Sequence, residues 1–393
     1  MVNNNFHERT ALALSFLILN NYLLLILNLP QLIIKINFFI FLLTIFIFYF
    51  KNFLENPFLK LSFLFLIFIS LGTATFDWDP RSNYLFHAKR IFYDQSVLSV
   101  ADNYAVFSHN EYPTLVPALA SSLATLIGHW NEVFPKLSFS LVFLPPLIFA
   151  YSFFKDTRYL IFLSIVFFTI GNFLFNGWVD GILAMYFCLS AFLMYFLIIS
   201  NEYKEKSNSF YYLLALCFFI TLTLIKNEGT VLLLIIFLAT IIIKFFKKKL
   251  GNNIAKLILL SFSFLPIVLW KLFCYSKGLG HEFLHTDIIT NLLSRSEDFN
   301  NYKLVSYFLL LNEKFLITLT FFLISCWVKL DKEILSFVSI VSIIYIFVLL
   351  FVYFTTPHDL YFQLNSTAAR VVRSLSFFFA FFGLYNLRNY KKI

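Results

Sequence analysis

A polar interval, residues 75–113, contains the residues best suited to chemistry in a chain that is 60% hydrophobic. It opens with two carboxylates, Asp77 and Asp79, followed by the cations Arg81 and Lys89. A carboxylate can take a proton from a hydroxyl group, and positioned cations can stabilise a departing phosphate. The pattern therefore favours group transfer from a lipid phosphate, with Asp79 or Asp77 as the base. The same charges would also suit an interfacial loop whose side chains pair with one another.

The end of this interval supplies two further candidates, Glu111 and Tyr112. If the interval folds over the membrane, Glu111 returns to the surface that carries Asp79. We therefore predict that Glu111 and Tyr112 bind substrate. A tyrosine is also a common anchor at the membrane interface, so Tyr112 has an ordinary structural explanation as well.

Two shorter polar segments, NGWVDG and KNEG, contribute Asp180, Lys226 and Glu228. Asp180 lies at the start of an apolar run, where the helix dipole also favours an acidic residue. Lys226 and Glu228 interrupt an apolar stretch, and charges there are costly unless they reach the interface or a partner. We predict that all three bind substrate, although residues 226–229 would also suit a solvated turn.

The last polar segment contains His358, Asp359, Arg370 and Arg373. The two arginines are three residues apart and so share one face of a helix. Their forked donors are suited to a phosphate group. We predict that all four residues bind substrate, with lipid headgroups or Asp359 as the alternative partners of the arginines.

No metal site or disulfide framework is expected. The segment HEFLH places His281 and His285 at i and i+4, but the sequence offers no clear third ligand. The four cysteines lie singly within or beside apolar runs. We therefore expect no metal and no cofactor.

The composition identifies the elements that must position these residues. Only 13% of the residues are charged, compared with about 25% in soluble proteins. Apolar runs long enough to cross a ~30 Å hydrocarbon core recur along the chain. The net charge of +9 comes largely from Lys and Arg in short loops, which is typical of the cytoplasmic side of a membrane protein and not of nucleic-acid binding.

We therefore predict an all-α polytopic membrane protein with about twelve transmembrane helices and both termini cytoplasmic. Residues 114–129, which are short and contain Pro117, are expected to form a juxtamembrane helix in the outer interface. The whole chain, residues 1–393, forms one integral membrane domain with three outer segments: a catalytic loop with juxtamembrane helices at 76–130, and further loops at 274–303 and 355–373. The predicted spans are 11–29, 31–50, 58–75, 137–154, 158–175, 180–199, 210–225, 230–246, 254–273, 311–328, 334–354 and 374–387.

The order of these features resembles the GT-C superfamily of membrane glycosyltransferases, in the glycosyltransferase family 39-like branch of protein O-mannosyltransferases and aminoarabinose transferases. The resemblance covers roughly residues 60–200. It is carried by an acidic opening of the first outer loop, a Tyr and an Ala in the following helix, an acidic–aromatic–Pro closure and a later Gly. These residues are Asp77, Asp79, Tyr84, Ala88, Glu111, Tyr112, Pro113 and Gly128.

The resemblance implies an inverting transferase that takes a sugar from a polyprenyl phosphate on the extracytoplasmic face. It implies Asp79 or Asp77 as the base, Arg81 and Lys89 as phosphate contacts, and Asp180 as a second acidic position. The acceptor would be a glycan, a lipid or a protein, and the membrane would be the bacterial inner membrane, with no nucleic-acid partner. The alternatives are a flippase or transporter of lipid-linked glycans, or a glycan polymerase or ligase.

Overall fold

The computed structural model describes residues 4–51, 57–73, 78–154, 157–170, 177–200, 209–280 and 287–390. Across these ranges the regular structure is helical, and no β-strand occurs in them. The α-helices are α1 (Asn4–Ile26), α2 (Gln31–Lys51), α3 (Pro57–Gly72), α4 (Leu85–Asp94), α5 (Leu115–Ile127), α6 (Leu137–Phe154), α7 (Thr157–Ile170), α8 (Asp180–Met194), α9 (Ser209–Ile225), α10 (Asn227–Phe246), α11 (Ile254–Ser261), α12 (Leu265–Ser276), α13 (Ile288–Glu297), α14 (Phe299–Leu310), α15 (Glu313–Val328), α16 (Lys332–Thr355) and α17 (Leu360–Tyr390).

Eight helical stretches in the described residues are long and apolar enough to cross a membrane. A ninth span results if α14 and α15, which meet at a 68° bend, count as one. The eight stretches are Phe6–Ile26, Gln31–Phe50, Leu137–Phe154, Asp180–Ile199, Asn227–Phe246, Ile254–Ser276, Lys332–Thr355 and Leu360–Arg388. The predicted all-α fold is confirmed, and these helices agree with a polytopic membrane protein.

The remaining predicted spans correspond to shorter helices. Helices α3, α7 and α9 contain 16, 14 and 17 residues. The predicted span 311–328 corresponds to α15 and lies in the bent pair. The count of twelve spans therefore stays a prediction.

Helix α8 lies at the centre of the bundle, since every residue from Asp180 to Met194 is buried. It packs against α6, α9, α10 and α17. Aromatic side chains fill much of this core; for example, the Phe192 ring lies 5.4 Å from Phe381 and 5.2 Å from Tyr385. The many phenylalanines of the sequence thus provide packing between helices as well as a lipid-facing surface.

Helix α5 differs from the expectation that residues 114–129 lie in the outer interface. Its residues 115–125 are all buried, and it packs against α1, α2, α4 and α6. Asn21 of α1 donates a hydrogen bond to Ser122 Oγ over 2.8 Å. The small side chains of α5 allow neighbouring helices to approach closely, so it is enclosed by the bundle.

Helix α17 is longer than a membrane span requires. Its 31 residues extend about 46 Å, compared with a ~30 Å hydrocarbon core. Most of the predicted outer loop 355–373 is therefore the beginning of this helix, and α13 with the start of α14 occupies the second half of the predicted loop 274–303. Arg370 lies about 15 Å along α17, level with the starts of α8 and α10.

Candidate active site

An arginine from α17 joins two aspartates that are far apart in the sequence. Arg370 Nη2 donates to Asp79 Oδ2 over 2.6 Å and to Asp180 Oδ2 over 3.1 Å. Arg370 Nε also donates to Asp180 Oδ2, over 3.3 Å. The acidic first outer segment, the start of α8 and the third turn of α17 therefore meet at one point.

A second cation reaches the same point from the start of α10. Lys226 Nζ lies 3.5 Å from Asp180 Oδ1 and 2.7 Å from Glu228 Oε1. Lys226 is buried and has an extended backbone, which breaks the apolar stretch between α9 and α10. We call Asp79, Asp180, Lys226, Glu228 and Arg370 the charge cluster.

A glycine lets two of the contributing segments approach each other. Gly177 has a φ of +89°, a left-handed conformation that favours glycine. A Cβ atom at this position would lie 2.9 Å from Pro80 Cβ. Because Pro80 follows Asp79 and Gly177 precedes Asp180 by three residues, this close approach brings the two aspartates together.

Two aromatic side chains border the charge cluster. The guanidinium carbon of Arg370 lies 3.7 Å from the centre of the Trp178 ring. Tyr84 is buried and packs edge-on against Phe139. Its hydroxyl interacts electrostatically with Asp180, Asp79 and Glu228. Burial and these carboxylates raise the pKa of Tyr84 well above its usual value, so the hydroxyl is a neutral donor.

The formal charges of the site balance. Arg373, one turn after Arg370, is buried and interacts electrostatically with Asp180. With it, three cations face the three carboxylates of the charge cluster. Burial disfavours the charged form of Lys226, but Glu228 and Asp180 outweigh this effect and raise the pKa of Lys226. The lysine therefore stays positively charged, as a ligand for an anion must.

Glu111 and Tyr112 lie near this site, and Glu111 is joined to α12. The Glu111 carbonyl accepts hydrogen bonds from Trp270 Nε1 over 3.1 Å and from Lys271 Nζ over 2.9 Å. Both residues are buried, and Tyr112 stacks on His109. Lys271 interacts electrostatically with both Glu111 and Glu228, and Glu228 is a member of the charge cluster.

Two predicted phosphate contacts are not brought to the charge cluster. Arg81 and Lys89 are exposed, and neither makes a hydrogen bond or ion pair with a described residue. The cations that the fold brings to Asp79 and Asp180 are instead Arg370 and Lys226. The sequence-based choice relied on proximity along the chain, whereas Arg370 lies 190 residues from Asp180 and 291 residues from Asp79.

His358 and Asp359 are likewise outside the charge cluster. Both are exposed, and Asp359 Oδ1 accepts a hydrogen bond from the Phe362 amide at the start of α17. The His358 carbonyl accepts from Arg295, which also binds the Tyr353 and Thr356 carbonyls at the end of α16. These contacts fix the connection between α16 and α17.

One predicted catalytic residue, Asp77, lies outside the described residues. The HEFLH segment, residues 281–285, for which no metal site is expected, also lies outside the described residues. Among the residues that are described, no group of three or more His, Cys, Asp or Glu side chains is arranged to hold a metal ion.

Sequence reasoning missed Trp178, Lys271 and Tyr345. Tyr345 of α16 donates to the Val371 carbonyl and interacts electrostatically with Glu228. Tyr345 lies inside an apolar run, where no pattern marks it as functional, whereas Lys271 had a signal because a charge inside an apolar run is costly without a partner. Trp178 had a signal, since it is two residues before Asp180 in a polar segment.

Comparison of the chain with models of known protein families, with curated proteins and with solved structures found no match.

Proposed function

We propose that this protein is a membrane glycosyltransferase that moves a sugar from a polyprenyl phosphate to an acceptor hydroxyl. The observation that carries the proposal is the meeting of Asp79, Asp180, Lys226 and Arg370 at one end of the helices. A reaction of this kind requires a base beside preorganised cations. The charge cluster supplies both groups at the point where a lipid headgroup would reach the protein.

Asp79 is the better base of the two aspartates. Its side chain is 27% exposed, whereas that of Asp180 is 8% exposed and is held by two cations. Asp79 Oδ2 binds Arg370, and Oδ1 accepts no hydrogen bond from the described residues. Oδ1 is therefore available to take the proton of an acceptor hydroxyl.

In the proposed step, Asp79 takes the hydroxyl proton as the acceptor oxygen forms a bond to the anomeric carbon of the sugar. The bond from this carbon to the phosphate oxygen breaks, and its electron pair stays on the phosphate. The configuration at the anomeric carbon inverts because the acceptor displaces the phosphate directly.

Arg370 is the principal phosphate ligand in this scheme. Its Nε and Nη2 atoms bind the two aspartates, while Nη1 makes no hydrogen bond to a described residue. Two N–H groups are thus available for phosphate oxygens, and Lys226 and Arg373 add positive charge nearby. Because these cations are preorganised, the scheme needs no metal or other cofactor.

The scheme includes the predicted topology of about twelve spans with both termini cytoplasmic. The charge cluster then faces the extracytoplasmic side of a bacterial inner membrane. The donor comes from the surrounding membrane lipids, and the acceptor is a glycan, a lipid or a protein.

The direct test uses the purified protein in liposomes with a panel of radiolabelled polyprenyl-phosphate sugars and extracted envelope acceptors. We expect one donor to lose its sugar, with one polyprenyl phosphate released for each sugar transferred. If no donor in the panel loses its sugar, the transferase proposal is contradicted.

A transporter of lipid-linked glycans is the second candidate. The observation that favours it is the 68° bend between α14 and α15, since many transporters place broken helices next to their substrate. Lys314, just after the bend, interacts electrostatically with Arg373. In the same liposomes, movement of labelled lipid-linked glycan between leaflets without sugar transfer would favour this candidate.

A further inference from the structure

In the described part of the chain, the Trp178 ring packs against one face of the Arg370 guanidinium. Two of its nitrogen atoms bind Asp79 and Asp180 along one edge. The Trp178 ring lies 3.7 Å from the guanidinium carbon, which is the distance of direct face contact. The edge contacts and the face contact together fix both the position and the plane of the group.

This arrangement directs the available donors. A guanidinium donates its hydrogen bonds in its own plane, so a ring on one face blocks no donor. The two N–H groups of Nη1 therefore keep one direction as long as the ring is present. A bound oxyanion could compete with Asp79 and Asp180 for Arg370 and pull the guanidinium away from them. Contact with the Trp178 ring opposes that movement.

We propose that Trp178 is a positioning residue that holds the plane of Arg370 for a phosphate monoester or diester on a polyprenyl chain. The proposal rests on the transferase scheme, because that scheme supplies the phosphate. Trp178 acts through Arg370 and takes no part in proton transfer. Its ring face, and not its volume alone, is the property that matters.

A binding measurement separates these properties without requiring turnover. Undecaprenyl phosphate is titrated into the purified full-length protein in detergent, and its dissociation constant is obtained from thermal stabilisation. Trp178→Phe keeps an aromatic face, and we expect its dissociation constant to remain within about threefold of wild type. Trp178→Leu lacks that face, and we expect its binding to weaken about tenfold. If the leucine variant does not fold, Trp178→Met replaces it.

A double variant tests whether Trp178 acts through Arg370. Lysine lacks the planar fork, so Arg370→Lys removes the group that the ring orients. In that background we expect Trp178→Leu to cause no further weakening. Additive losses, equal losses in the phenylalanine and leucine variants, or wild-type affinity in a folded leucine variant would each overturn the proposal.

Sugar transfer by the same preparations distinguishes the two proposals. If the wild type transfers sugar but the Trp178 variants bind equally well, only the positioning role fails. If undecaprenyl phosphate binds with the expected coupling but no sugar is transferred, the positioning role stands and the transferase scheme fails. Failure of the wild type to bind undecaprenyl phosphate overturns the positioning role as stated.

Discussion

Asp180 is the residue on which the charge cluster depends most. It accepts hydrogen bonds from Arg370 and lies 3.5 Å from Lys226, and its side chain is 8% exposed. Removal of one partner from a buried ion pair leaves a charge without compensation, at a cost of about 3 kcal/mol or more. We therefore expect Asp180 to contribute both to the stability of the bundle and to the position of Arg370.

We predict that Asp180→Asn lowers the free energy of unfolding by about 3 kcal/mol, measured by denaturation in detergent. The matched control is Asp102→Asn, which weakens the more exposed Arg90–Asp102 pair. Because exposed pairs contribute little, this control should lose less than about 1 kcal/mol. Equal losses in the two variants would contradict the importance given to Asp180.

His87, in the first outer segment, makes the stability of the fold depend on pH. The His87 ring is buried, and its Nε2 donates to the Ser108 carbonyl over 2.8 Å. Burial lowers the pKa of His87 from 6.5 to about 4. As the pH falls below 6.5 the unfolded chain therefore takes up a proton before the folded chain does, and protonation favours unfolding.

We predict that the contribution of neutral His87 to the free energy of unfolding is fully present above pH 6.5. The free energy of unfolding then decreases by about 3 kcal/mol as the pH falls to about 4. The measurement is denaturant unfolding in detergent at a series of pH values. His87→Gln keeps an amide donor for Ser108 but does not titrate, so its stability should vary less over this range. Parallel profiles for the two proteins would contradict the assignment to His87.

At the scale of the elements, close helix contacts place the cluster residues. Gly229 of α10 faces α9, where a Cβ atom would lie only 1.9 Å from the Leu222 carbonyl oxygen. Lys226 and Glu228 are in the same turn of chain. Any widening of the α9–α10 contact therefore moves two members of the charge cluster.

Gly229→Ala should destabilise the protein by about 3 kcal/mol and weaken binding of undecaprenyl phosphate, because the α9 backbone cannot yield as a flexible side chain can. Gly251→Ala is the control, since a Cβ there meets no described atom within 4 Å. Thermal unfolding and ligand titration measure both effects. A Gly229→Ala protein that matches the control would show that the two helices need not approach so closely.

The sequence predicted helices well wherever a long apolar run defines the helix. Helix α16, for example, agrees closely with the predicted span 334–354. It was less informative about α5, because composition does not tell a helix on the membrane surface from one enclosed by other helices. It also assigned the polar start of α17 to a loop, although these residues are helical. Asp79, Asp180 and Arg370 were all chosen as candidates, but their pairing depends on packing between distant helices, which no local pattern records.

At the scale of the whole molecule, charged residues gather at both ends of α10. The charge cluster lies at the start of α10, and Lys247 at the other end of α10 pairs with Glu333 over 2.5 Å. The 20 residues of α10 separate these ends by about 30 Å. Loops at the two ends should therefore lie on opposite sides of the membrane.

We predict that a membrane-impermeant maleimide labels Lys89→Cys in intact cells and labels Lys249→Cys only after permeabilisation. The positive-inside pattern gives this orientation. The four native cysteines are buried, which keeps the background labelling low. Labelling of Lys249→Cys in intact cells would reverse the orientation and place the charge cluster in the cytoplasm.

The most direct test of the central claim is the rate of sugar transfer by Asp79→Asn. Loss of a general base typically slows a reaction by about 10²- to 10⁴-fold, so we predict at least a hundredfold decrease with unchanged protein level and size-exclusion profile. The exposed Asp94→Asn variant serves as the control and should keep the wild-type rate. A folded Asp79→Asn protein that transfers sugar at a rate within a few fold of wild type would contradict the role of Asp79 as the base.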